Sequence, residues 1–153
     1  MAQKAIQDYY HDEIAHCYGC GRLNREGMHI KSYWEGEEGV CHYRPDPRYT
    51  GGFPGYVYGG LIASLMDCHS AAIASAAKLH REGLSPEDRP LSRFVSASLK
   101  VDFLKPTPID TVLELRGRVK ETGRRKVIVA IELSAGGEVR ARGEAVLVQL
   151  PEK

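Results

Sequence analysis

The sequence lacks any run of about eighteen apolar residues, the length that a helix needs to cross a bilayer. Its first residues, MAQKAIQDYYHDEIAHC, lack an apolar core segment and carry several acids, so we expect neither a signal peptide nor a transit peptide. The chain also lacks an excess of either charge, since its formal net charge is +1 at pH 7. Nothing here favours a nucleic acid or a membrane as partner, and we expect a cytoplasmic protein.

Several chemical signatures are missing as well. There is no phosphate loop, no dinucleotide fingerprint and no Ser-His-Asp elbow. Cys17-x-x-Cys20 has the spacing of half a zinc site, but no second Cys or His pair follows at the usual distance. We interpret it as a turn with two free thiols, as expected in a reducing compartment, and we predict no bound metal.

What is present fits one domain. The chain has 153 residues, of which 42% are hydrophobic and 27% are charged. Residues 1–16 are polar and predict an arm or short helix, and residues 17–153 predict a single domain. Two short strands are expected around 28–35 and 39–44, followed by a loop over 45–56 that is rich in proline and glycine.

A long apolar helix is predicted from about residue 57 to residue 80. Two stripes recur at helical spacing, one made of Leu61, Leu65, Ala72 and Ala76 and the other of Ile62, Met66 and Ile73. A helix with so wide an apolar surface must be wrapped by other structure. Many small residues between the stripes would let a sheet approach closely.

The remaining chain predicts four strands in a meander. Val95, Ala97, Leu99, Val101 and Phe103 alternate with polar residues and form the buried face of the first strand. Three more alternating segments follow, with a tight turn predicted at residues 136–137. The fold class is therefore α+β, a hotdog fold in which about six antiparallel strands curl around one central helix. Open sheet edges in such a fold predict a homodimer, with a dimer of dimers as a further option.

The motif Tyr58-Gly59-Gly60 followed by Asp67 resembles the hotdog acyl-CoA thioesterases of the phenylacetate-pathway and 4-hydroxybenzoyl-CoA thioesterase-like group. That family usually has His-Gly-Gly at the helix start and an acid nine positions after the His. The segment SLKVDFLKP and the leader CYGCGRLNREGM are similar to the family as well, so the resemblance covers roughly residues 17–150. It implies an acyl-CoA substrate, no cofactor beyond the coenzyme A of that substrate, and an acid that faces the partner subunit's glycine loop.

The catalytic candidates are Gly60, Asp67 and Tyr58, and Gly59 is a predicted substrate contact. Unpaired N–H groups at a helix start can stabilise an oxyanion, and the resemblance selects the amide of Gly60, with Gly59 letting the thioester approach. Asp67 is the single acid in the apolar part of the helix, and we expect it to be buried there. Burying a carboxylate is costly, and a role as general base or nucleophile would explain it. The alternative for each is a purely structural role.

Tyr58 stands where the family usually has His. A tyrosine can donate a hydrogen bond but cannot replace an imidazole base at neutral pH. His69 lies two residues from Asp67, on a different helix face, and is predicted to be a packing residue.

Substrate contacts are predicted at two kinds of residue. Ser64 and Ser70 lie one helical turn on either side of Asp67. The basic residues Lys105, Arg124, Arg125 and Lys126 would meet the phosphates of CoA, although a solvated basic face explains them as well.

The leading hypothesis is hydrolysis of an acyl-CoA. A protein that binds acyl-CoA or lipid without turnover is the alternative, because Tyr58 departs from the family motif. A dehydratase or hydratase ranks third, since the sequence holds no matching D-x₄-H motif.

Overall fold

The computed structural model describes residues 3–152 and contains one long helix, α1, over Gly59–Arg81. The helix starts after Tyr58, whose backbone is extended, and its last turn carries Lys78, His80 and Arg81, which suit the negative end of the helix dipole. It ends at Arg81, and Gly83, two residues further on, adopts a φ of 72° that favours glycine. The predicted helix is confirmed to within two residues at its start.

The two apolar stripes of α1 are buried, as predicted. By length and composition alone, α1 could cross a membrane, contrary to our expectation from the sequence. However, 72% of its apolar window is buried inside the fold. This is the property of a core helix, which passes the same test of length and composition.

Six antiparallel strands form one sheet. In chain order they are β1 (Ser32–Glu35), β2 (Glu38–Tyr43), β3 (Phe94–Phe103), β4 (Leu113–Thr122), β5 (Lys126–Ala135) and β6 (Glu138–Gln149). Their order across the sheet is β1-β2-β4-β5-β6-β3. The sheet contacts α1 through all six strands, so the predicted hotdog architecture is confirmed.

The prediction of a four-strand meander is wrong in one respect. β4, β5 and β6 are successive neighbours, but β3 pairs with β6, with Phe94 opposite Gln149 and Phe103 opposite Ala141. Residues 104–112 join β3 to β4 and contain two prolines, so they cannot form a tight hairpin turn. The connection instead leaves β3 as a ten-residue edge strand.

The inward alternation predicted for β3 is also only partly correct. The register shifts between Ser96 and Ser98, so Ala97 is the extra residue of a β-bulge. Ala97 and Phe103 are exposed, although both belonged to the predicted buried face. The bulge and the open edge together explain why a regular pattern did not produce a regular buried face.

Close contact between helix and sheet depends on glycines in the strands rather than only on small residues in the helix. A Cβ atom on Gly117 would lie 2.7 Å from Ile73 Cδ1 of α1, and one on Gly143 would meet Met66 Sδ. Real Cβ atoms essentially never approach other atoms this closely. These positions therefore let the side chains of α1 rest on the sheet backbone.

The N-terminal segment packs on the fold. It contains two short 3₁₀ helices, Ile6–Tyr9 and Asp12–Ile14. Ile6 is buried against Ala72 and Ala76 of α1. The division of the chain at residue 17 stays a prediction.

Candidate functional site

The start of α1 is held by the loop before it and by the connection between β3 and β4. Val57 N–H donates to the Thr107 carbonyl at 2.9 Å, and Tyr58 N–H donates to the Tyr49 carbonyl at 3.0 Å. Gly59 and Gly60 are exposed, and their N–H groups have no backbone acceptor among residues 3–152. The structure therefore provides exposed, unpaired donors at the positive end of a 23-residue helix, where an oxyanion would be stabilised.

Tyr58 lies directly against the glycine pair. Its ring occupies the space that a Cβ atom on Gly60 would need, and the ring of Phe103 lies 3.1 Å from the corresponding point on Gly59. Tyr58 is 43% exposed and stacks on Tyr49, with 6.4 Å between ring centroids. Its aromatic side chain therefore lines one side of the exposed helix start.

An exposed apolar patch surrounds this helix start. Its members are Phe53, Tyr56, Tyr58, Phe103 and Leu104, each between 43% and 81% exposed. The residues come from the loop before α1 and from the end of β3. So many large apolar side chains around one exposed helix start indicate a surface that another molecule covers.

Asp67 lies two turns further along α1. We expected its carboxylate to be buried in apolar surroundings, and this expectation is wrong, because Asp67 is exposed in the single chain. Its Oδ1 accepts a hydrogen bond from Ser96 Oγ on β3. Sequence reasoning missed Ser96, since the pairing across 29 residues depends on how α1 lies along β3.

The two predicted serine contacts differ in position. Ser64 lines an open groove of about 390 Å³ together with Asp67 and Ser96, and its hydroxyl donates to the Gly60 carbonyl at 2.9 Å. Ser70 is fully buried, and its hydroxyl donates to the main-chain carbonyl of Asp67 at 2.9 Å. Ser70 has no open face for a ligand, so its prediction as a substrate contact is corrected to a structural role.

Gly60 and Asp67 are too far apart to act on one bond within a single chain. Seven residues of helix separate them by about 10 Å. α1 runs antiparallel to β3, since Gly59 contacts Phe103 at the end of β3 and Asp67 contacts Ser96 near its start. One chain therefore carries the donors and the acid at opposite ends of the same edge strand.

The predicted basic residues also fall into two separate places. Lys105 follows the end of β3 and pairs with Glu138. Arg124, Arg125 and Lys126 are exposed at the β4–β5 hairpin, near the start of β3, because Lys126 is opposite Val148 and Val148 is opposite Val95. Within the described part of the chain these three cations have no carboxylate partner in an ion pair.

His69 is a packing residue, as predicted. It is fully buried, with Nδ1 2.7 Å from Ser32 Oγ and Nε2 3.1 Å from the Gly39 carbonyl. Gln7 Nε2 donates to the same Ser32 Oγ at 2.9 Å, so a neutral ring that donates from Nε2 satisfies every partner. Burial lowers the pKa of His69 to about 4, and the Gly39 carbonyl only partly offsets this effect.

The cysteines form a group that the sequence did not reveal. Cys17 and Cys20 lie beside Cys68 of α1, and the three sulfur atoms are within 4.8 Å of one another. The interpretation of Cys17-x-x-Cys20 as an isolated pair is therefore corrected. A hydrogen bond from the Cys68 thiol lowers the pKa of Cys17 to about 5, and the N–H groups of Cys20 and Gly19 act in the same direction.

Comparison with known proteins places this architecture in a family. A family model described as Thioesterase superfamily matches residues 54–141, more than half of the chain. A curated relative, the acyl-coenzyme A thioesterase THEM4 of Xenopus laevis, is 28% identical over 106 residues. The match covers 69% of this chain and 41% of that protein, so the chain spans less than half the length of the relative.

Two solved structures illustrate the similarity of fold. A thioesterase superfamily protein from Shewanella loihica is 42% identical, with a TM-score of 0.66, and the match covers 92% of this chain and 98% of that one. A protein of Streptococcus mutans, solved bound to acetyl CoA, is 14% identical with a TM-score of 0.65 and coverage of 81% and 90%. The second likeness shows the fold alone.

Proposed function

The chain belongs to the thioesterase superfamily, and from that premise we propose that it hydrolyses an acyl-CoA or a related acyl thioester to the free acid and CoA. One observation carries the proposal. Exposed N–H donors at the start of α1 and the exposed acid Asp67 lie at opposite ends of one long edge strand, so a two-fold symmetric partner can bring them together.

The assembly in this proposal is a homodimer formed through β3. A dimer of dimers would form through other surfaces. A ten-residue unpaired edge is a strong template for a second strand. Two copies of β3 related by a two-fold axis run antiparallel, so the start of one strand lies beside the end of the other. Asp67 of one chain then faces the Gly59-Gly60 pair of the partner subunit, and the exposed patch around Phe103 becomes covered.

The reaction follows from these groups. The thioester carbonyl oxygen accepts hydrogen bonds from Gly60 N–H and from the Tyr58 hydroxyl, which stabilise the negative charge of the tetrahedral intermediate. Asp67 of the other subunit removes a proton from water, and the resulting hydroxide adds to the carbonyl carbon. When the C–S bond breaks, the CoA sulfur takes that proton and leaves as a thiol. Direct attack by Asp67, with later hydrolysis of the anhydride, is the variant of the same scheme.

Recognition of the CoA phosphates is assigned in this proposal to the β4–β5 hairpin. Arg124, Arg125 and Lys126 carry three adjacent positive charges without carboxylate partners within residues 3–152, and Arg binds phosphate oxygens in a bidentate manner. The hairpin lies toward the Asp67 end of β3. Lys105 lies at the opposite end and is already paired with Glu138, so we assign it a lesser role.

Release of free CoA, followed with a thiol reagent over short, long and aromatic acyl-CoAs, tests the proposal. We expect Asp67→Asn to lower kcat/KM by about 10²-fold or more, the range for loss of a general base, while the dimer stays intact. Glu37→Gln is the control, because Glu37 is an exposed acid in the turn between β1 and β2, at the opposite edge of the sheet from β3.

Two outcomes would contradict the proposal in different ways. Unchanged hydrolysis by Asp67→Asn would keep the enzyme class but move the chemistry to another group. Tight binding of acyl-CoA by the wild-type protein without release of CoA would replace the enzyme with a binding protein, and Tyr58 in place of the family's usual His would then be the residue to restore first.

A further inference from the structure

The three thiols that meet beside α1 form a group that thioester hydrolysis does not use. Cys17 and Cys20 come from the turn at residues 17–21, and Cys68 comes from the middle of α1, one residue after Asp67. Cys20 and Cys68 are 8% exposed and Cys17 is exposed. All four cysteines, including the distant Cys41, are free thiols.

The sulfur geometry matches a tetrahedral thiolate site. Zinc–sulfur bonds are about 2.3 Å long, so two sulfur ligands of a tetrahedral ion lie about 3.8 Å apart. The sulfur atoms of Cys17 and Cys68 are 3.9 Å apart, and all three sulfur atoms lie within 4.8 Å of one another. One ion can therefore contact all three with only small movements of the side chains.

The loop around the thiols is preorganised. Its backbone is closed by hydrogen bonds from Gly21 N–H to the Cys17 carbonyl at 2.8 Å and from Ile30 N–H to the Gly19 carbonyl at 2.9 Å. The Cys68 sulfur occupies the space that a side chain on residue 19 would need, so only glycine lets the turn approach α1 this closely. A rigid turn pressed onto a helix lowers the entropic cost of assembling a metal site.

We propose that Cys17, Cys20 and Cys68 bind one thiophilic divalent cation of the zinc class, with the fourth position open to solvent. Among residues 3–152, no further Cys, His, Asp or Glu joins this group of ligand atoms, which is why the fourth ligand comes from outside it. The exposure of Cys17 places that open position at the surface. Each coordinated thiol gives up its proton to the solvent when the ion binds.

The consequence of binding is mechanical. The ion would tie the turn at residues 17–21 to the centre of α1, next to Asp67, in addition to the packing of Ile6 on the helix. Because the unfolded chain holds no such cluster, binding energy becomes folding energy. Binding of the ion does not depend on the proposed thioesterase reaction, so we expect it even if the protein hydrolyses no thioester.

The test uses the full, reduced chain and a direct readout of metal. We expect the protein to bind one Zn²⁺ per chain, to show the thiolate-to-metal absorption of a tetrahedral site with Co²⁺, and to melt at a lower temperature after chelation. Cys68→Ser and Cys17→Ser should each weaken Zn²⁺ binding at least tenfold, and Cys41→Ala, a buried cysteine in β2, should leave it unchanged.

The Cys17 variant keeps the experiment decisive, because its side chain is exposed and its loss should not unfold the chain even if Cys68→Ser does. Zn²⁺ binding that survives Cys17→Ser with the wild-type affinity and absorption would overturn the proposal. Failure of the reduced wild-type protein to retain Zn²⁺, or a disulfide between Cys17 and either neighbour that persists under reductant, would overturn it as well.

Discussion

At the scale of single residues, Tyr58 is the position at which we expect this chain to depart from the usual family motif. Its position at the helix start and its contact with Gly60 place the ring where a substrate carbonyl would enter. A phenol donates a hydrogen bond but remains protonated at neutral pH. In the proposed reaction Tyr58 therefore supports the oxyanion, and Asp67 carries the proton transfer.

Removal of the Tyr58 hydroxyl tests that division of roles. We expect Tyr58→Phe to lower kcat by about tenfold, the loss of roughly one hydrogen bond in the transition state, with little change in KM. Steady-state CoA release measures both constants. Tyr56→Phe, in the same exposed loop, is the control and should keep the wild-type kcat. An equal loss in both variants would assign the effect to the loop rather than to the Tyr58 hydroxyl.

At the scale of elements, the buried chain of hydrogen bonds from Gln7 through Ser32 to His69 and Gly39 ties three parts of the fold together. It joins the N-terminal segment, the β1–β2 hairpin and α1. The Ser32 hydroxyl can donate to Nδ1 only while the imidazole is neutral, so protonation of His69 breaks this hydrogen bond. The network therefore makes the attachment of these elements sensitive to pH.

The free energy of unfolding should fall in acid because His69 becomes protonated. Its pKa is about 4 in the folded chain and 6.5 in the unfolded chain, so its contribution is complete above pH 6.5 and is lost as the pH falls toward 4. The shift corresponds to about 3 kcal/mol. Urea unfolding at pH 7 and pH 4.5 measures this loss.

A histidine variant isolates this contribution. We expect the free energy of unfolding of His69→Gln to depend much less on pH than that of the wild type. His11→Gln, at an exposed position, should keep the wild-type dependence. If the free energy of unfolding changed with pH equally in the two variants, then carboxylates, and not His69, would govern acid unfolding.

At the scale of the whole molecule, the long open edge of β3 and the apolar patch beside it are the features that a single chain leaves unsatisfied. They adjoin at Phe103, which is the last residue of β3 and 57% exposed. One partner can cover both, and the same contact assembles the proposed catalytic groups. Activity and dimerisation should therefore be lost together.

A charge at the centre of β3 tests this coupling. In a two-fold pairing, Ser98→Lys would place like charges close to each other across the axis, and we expect the dimer to weaken by about tenfold or more, equivalent to about 1.4 kcal/mol. Sedimentation and CoA release, measured over a range of protein concentrations, follow both properties. Thr122→Lys, exposed at the end of β4, should change neither. A dimer unaffected by Ser98→Lys would place the interface elsewhere.

Much of the fold was predictable because it rests on local periodicity. The spacing of Leu61, Leu65 and Ile73 predicted a wrapped helix, and period-two alternation predicted the strands. The glycine pair, the acid nine positions after Tyr58 and the flanking segments together predicted the family, which the family model confirms. These features depend on residues close together in the chain, whose geometry follows from the pitch of a helix or the pleat of a strand.

The remaining features depend on contacts between distant parts of the chain, and only the folded molecule decided them. β3 lies at an edge because residues 104–112 cross to a different strand, which no alternation pattern encodes. Asp67 is exposed because α1 runs along that open edge, and Cys17 meets Cys68 across 51 residues. Periodicity determines which face a residue occupies, whereas the packing of helix against sheet determines which faces meet.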